Sequence, residues 1–156
     1  MPRSSWLAAI ALAAITSLAV LAAAACGGDD NGDEQHGASY EGVISAVTFT
    51  SSAGLHGIDE AINDNGAIPA TARTAALRAQ AVLRLTQWPA ELRAKAEALA
   101  ATLGELAEAL DAEPVDMTAA GALAKKAHDD EHEFSAKVWR YLYEAAGIKA
   151  GTGHGH

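Results

Sequence analysis

Three histidines stand beside carboxylates at helical spacing, and they are the residues that could do chemistry. His56 is followed by Asp59, and His128 by Glu131 and His132. Residues three or four apart share one face of a helix, so His56 is expected to pair with Asp59, and His128 to sit with Glu131 and His132. Imidazole with carboxylate is an N/O donor set suited to Zn, Fe, Cu(II), Ni or Co. The expected cofactor is therefore one transition-metal ion held by His56, Asp59, His128, Glu131 and His132. A thiolate site and a Cu(I) site are not expected, because Cys26 is the only cysteine and Met117 the only methionine after Met1. The alternative for these residues is a partly buried polar network, with Asp129, Asp130 and Glu133 a solvated acidic face.

The elements that must position them read as helices. Alanine supplies 39 of 156 residues and aromatics only 5%, a composition that fits an all-α chain. From Tyr40, a stripe of Tyr40, Ile44, Val47, Ser51, Leu55, Ile58 and Ile62 predicts a first helix. Val43, Val47, Thr48, Phe49 and Thr50 pull it toward strand, and Gly42, Gly54 and Gly57 weaken it. Asn63-Asp64-Asn65-Gly66 is a turn. Pro69 opens a second helix that runs to about Gln87 and is expected to bury Leu77, Ala81 and Leu85. Trp88-Pro89 separates it from a third, whose stripe is Leu92, Leu99, Leu103, Leu106 and Leu110, with Glu91, Glu97, Glu105 and Glu108 facing away. Asp116 is positioned to cap a fourth helix over Met117–Ala146. Its stripe is Met117, Ala120, Ala124, Ala127, Glu131, Phe134, Val138, Tyr141 and Ala145, with Gly147 as the stop.

Four helices with short connections predict an up-down-up-down four-helix bundle over residues 40–147. Its first and fourth helices are then antiparallel neighbours, and counting from either end puts His56 within about one turn of His128. Glu131 is the only charge in its stripe, and a buried carboxylate is costly unless a cation or hydrogen bonds satisfy it. Thr48 and Ser52 share the side of His56 and are candidate hydrogen-bond partners for it. Trp139, Tyr141 and Tyr143 are expected to pack at the seam. A ferritin-like di-iron centre needs carboxylates from four helices, whereas the two middle helices lack histidine and turn their acids outward. No nucleophile elbow, phosphate loop or triad is present, so an enzyme is not expected, and close-packed alanines leave no room for haem.

The N-terminus sets the compartment. Arg3 precedes Trp6–Ala25, an uncharged apolar stretch of export-signal type. Ala23-Ala24-Ala25-Cys26 resembles the lipobox of bacterial lipoproteins, with Ala23 where Leu is usual. The resemblance implies cleavage of residues 1–25, acylation of Cys26 and anchoring on the extracytoplasmic face of a membrane in the cell envelope. The alternative is an uncleaved anchor helix with Cys26 a bystander. Residues 26–39, rich in Gly and Asp, read as a flexible acidic tether containing His36, and residues 148–156 as a disordered tail containing His154 and His156. The chain carries 11 basic and 20 acidic residues, net −9. With no basic run, a nucleic-acid partner is not expected, and the acidic surface suits cations.

Gly54-Leu55-His56-Gly57-Ile58-Asp59 resembles the Gly-x-His-x-x-Glu motif of imelysin-like extracytoplasmic proteins, some of them iron-uptake lipoproteins, with Asp59 in place of Glu. The resemblance implies metal-ligand roles for His56 and Asp59 and says nothing of His128, Glu131 or His132. Two functions are therefore expected to compete. One is a lipid-anchored module that captures, buffers or senses a metal ion. The other is a structural or adaptor bundle that binds no metal and presents a surface to a protein partner, which the sequence does not identify.

Overall fold

A computed structural model describes residues 39–149. The signal segment, Cys26, the tether with His36 and the tail with His154 and His156 lie outside the described residues. Within them the chain is all helical, and no helix is long and apolar enough to cross a membrane. Helices α1 (Tyr40–Ser51) and α2 (Leu55–Asn63) form one arm, and α3 (Ala72–Leu85), α4 (Ala90–Ala109) and α5 (Met117–Ala145) form the other three. The four arms pack up-down-up-down, with α3 against α4, α4 against α5, and α1 and α2 both against α5.

The expected continuous first helix is interrupted. Ser39 caps α1 by accepting the Gly42 N–H at 3.1 Å, but the helix closes at Ser51. Gly54 then takes a left-handed φ of +76° and starts α2. β-Branched residues at 47, 48 and 50 and the glycines at 54 and 57 weaken the helix here. Of the expected stripe, Val47, Leu55, Ile58 and Ile62 are buried, whereas Tyr40, Ile44 and Ser51 are exposed.

In α3 the buried face is Ala72, Ala76, Ala79 and Leu83, and the expected Leu77, Ala81 and Leu85 are exposed. The reason is close approach: small alanines let α3 lie against α4, where a leucine face would hold it off. Gln80 crosses this contact and donates to the Ala100 carbonyl at 3.0 Å. A Cβ at Gly104 would meet the Gln80 amide at 2.3 Å.

α4 buries Leu92, Leu99, Leu103 and Leu106 and leaves its four expected glutamates exposed. Trp88 packs edge-on against Phe134, ring centres 5.0 Å apart, and its indole N–H donates to the Leu83 carbonyl. Asp116 caps α5 as expected, its carboxylate accepting the Thr118 and Ala119 N–H groups. The α5 stripe is buried from Ala120 to Val138, Glu131 included, while Met117 and Ala145 are exposed and Tyr141 is half-buried. The aromatic seam forms, Tyr40 beside Tyr141 and Trp139 beside Tyr143.

Candidate metal site

The expected convergence of α2 and α5 is present. The His56 ring lies 4.8 Å, centre to centre, from His128, and the His128 ring lies 4.8 Å from His132. His56 occupies the first turn of α2, directly after Gly54. His128 and His132 are one turn apart on α5, so the three imidazoles form a row across the helix contact. They line an open cleft of about 610 Å³ together with Ser51, Gly54, Leu55, Glu131 and Ser135.

Asp59 is placed differently from its expected pairing with His56. Its Oδ2 lies 2.9 Å from His128 Nδ1, and its Oδ1 accepts from the Asn63 amide at 2.7 Å. The same amide donates to the Gly121 carbonyl at 2.9 Å, which fixes α2 against α5. Among the described residues no hydrogen bond joins His56 to Asp59. The reason is angular: Asp59 points at α5, whereas His56 sits a turn earlier at the edge of the cleft. Burial works to raise the Asp59 pKa, but the hydrogen bonds from His128 and Asn63 and the positive charges of His128 and Lys125 outweigh it. The carboxyl is held below its ordinary value. An ionised carboxylate can only accept, so His128 Nδ1 carries the proton. In the neutral ring Nε2 then bears the lone pair that a metal would use.

Glu131 is buried at 7% exposure, as its place in the stripe implies. Its Oε1 accepts from the Ser51 hydroxyl at 2.7 Å, and Ser51 contacts Ser135 at 3.1 Å. Hydrogen bonding therefore satisfies this carboxylate without a cation. Thr48 and Ser52 do not fill the supporting role expected of them: Ser52 bonds the Phe49 carbonyl, and the hydroxyl that reaches the site is Ser51. Ser51, Asn63 and Ser135 were not singled out by spacing. The only sequence clue is that Ser51 interrupts an apolar stripe on one arm and Glu131 does so on the other.

Among the described residues, no three His, Cys, Asp or Glu side chains stand as a ready-made metal-holding group. What the geometry provides is a row of nitrogen donors with a carboxylate beneath it. No protein-family model, curated protein or solved structure matches the chain.

Proposed function

We propose that this chain is a lipid-anchored, extracytoplasmic module that captures, buffers or senses one transition-metal ion of the Zn, Fe, Cu(II), Ni or Co class. One observation carries this reading: three imidazoles from two helices stand in a row 4.8 Å apart at the mouth of one cleft. His56, His128 and His132 supply nitrogen. Glu131 supplies a charge-balancing oxygen by exchanging the Ser51 hydroxyl for the ion. Asp59 holds the His128 ring in the tautomer that binds. His56 and His132 are exposed, so their rings can turn onto a common ion with little repacking. The likeness of the Gly54–Asp59 segment to the imelysin-like motif supports the same role for His56.

A second reading, a structural or adaptor bundle without metal, is favoured by the complete hydrogen bonding of Glu131. Titration of the purified protein with each of the five ions, followed by calorimetry, separates the two. Binding that is lost in the His56→Ala, His128→Ala double variant supports the metal module. Equal binding by wild type and double variant, or none by either, leaves the adaptor.

A further inference from the structure

The end of the bundle from which the chain runs back toward Cys26 differs in chemistry from the opposite end. It holds the start of α1, the end of α3, the start of α4 and the end of α5. Large apolar side chains are exposed there: Tyr40 at 54%, Leu85 at 84% and Ile148 at 55%, with Ile44 and Tyr143 beside them. Tyr40, Ile44, Leu142, Ala145 and Ala146 line a shallow apolar hollow. Arg84, Arg93, Arg140 and Lys149 are exposed toward the same end, and among the described residues none of them forms an ion pair. Glu41, Glu91 and Glu144 only partly offset them. At the opposite end Glu60, Asp64, Glu108, Asp111, Glu113 and Asp116 are exposed, and Arg73, bound to Asp111, is the nearest cation.

We propose that the end bearing Tyr40, Leu85 and Ile148 docks on the surface of an anionic lipid bilayer. Exposed aromatic and aliphatic side chains ringed by Arg and Lys suit the interface between headgroups and acyl chains. The opposite, acidic end is repelled by anionic headgroups, so the charge distribution sets one orientation. Thirteen residues connect Cys26 to Ser39, a reach of at most about 45 Å, so an acylated Cys26 allows this end to touch the membrane. The inference rests on the lipid-anchor reading. It adds that the anchored bundle stands end-on, with the imidazole cleft on its side wall, facing the water above the membrane.

The test uses the full processed chain on phosphatidylcholine–phosphatidylglycerol vesicles. An environment-sensitive dye is attached through Ile148→Cys in one sample and through Glu108→Cys, at the far end, in another. Docking predicts a blue shift and quenching by brominated lipid for the dye at 148 and neither for the dye at 108. A vesicle-bound, acylated chain whose 148 dye stays in water, or is already shielded in solution by a second copy, overturns docking and leaves the anchor reading intact. A chain whose mass shows no acyl group on Cys26 and which does not float with vesicles overturns both. As a second measurement, an Arg140→Glu, Lys149→Glu variant combined with Cys26→Ser is expected to bind the same vesicles about tenfold or more weakly than Cys26→Ser alone. Equal binding counts against docking.

Discussion

His128 and Asp59 lie 2.9 Å apart, Nδ1 to Oδ2, across the contact between α5 and α2, and each side chain is only 17% exposed. Asp59 thereby orients the imidazole and spends its own charge doing so. Asp59→Asn keeps the shape and removes the charge. It is expected to weaken ion binding by about 10–100-fold while leaving His56 and His132 in place. Calorimetric titration of the variant beside wild type measures the change, and an undiminished affinity would show that His128 needs no orienting partner.

Acid should act on the same pair. The folded Asp59 pKa lies below its ordinary value of 3.8, so the folded state binds the proton less readily than the unfolded chain. The resulting stabilisation is fully present above 3.8 and is lost as the pH falls through the lower folded value. Urea unfolding of the metal-free protein should therefore give a wild-type advantage over Asp59→Asn near neutrality that shrinks only below 3.8. Ion loading should be lost on acidification as well, because imidazole ligands bind only when unprotonated.

Glu131 separates stability from function. Replacing Ser51 with Ala removes the donor on a buried carboxylate and should cost about 1–3 kcal/mol. Replacing Glu131 with Leu removes the polar group altogether and should leave the metal-free bundle as stable as wild type or more so. The same Glu131→Leu protein should bind the ion more weakly. Paired denaturation and titration curves for the two variants check both parts.

Gly121 is a packing requirement. A Cβ there would stand 2.3 Å from the Asn63 side-chain oxygen, and Asn63 is held by two hydrogen bonds, to Asp59 and to the Gly121 carbonyl. Gly121→Ala should destabilise the protein by about 1–3 kcal/mol through overpacking. It should also loosen Asp59, so a fall in both melting temperature and ion affinity is the expected pattern.

Gly54→Ala tests the interruption between α1 and α2. A left-handed φ of +76° costs an L-residue about 1–2 kcal/mol. No neighbouring atom would obstruct the added methyl, so any loss of stability reports backbone strain alone. A change in ion affinity would mean that the strain is relieved by moving His56.

The Leu stripe of α4, the Asp116 cap and the heights of His56 and His128 were legible in the sequence because each rests on local periodicity. The α3 face was not. Leu77, Ala81 and Leu85 are spaced at helical intervals, as are Ala72, Ala76, Ala79 and Leu83, and only contact with α4 selects the smaller set. The partner of Asp59 was hidden for a similar reason. Spacing shows that His56 and Asp59 are near each other, but the rotation of α2 about its axis turns the carboxylate to His128. The hydroxyl on Glu131 escaped notice because Ser51 sits where the stripe calls for an apolar residue, and a contact across 80 positions leaves no local signature.

The two halves of the first arm are each fastened to α5 separately, α1 through Ser51 and α2 through Asn63. The gap at residues 52–54 is therefore braced on both sides and has no freedom to act as a joint. It works as an aperture. An unbroken rod would wall off the flank of α5, whereas the missing turn leaves a doorway framed by Ser51 and Gly54, through which a solute comes up beside Glu131 without the bundle having to open.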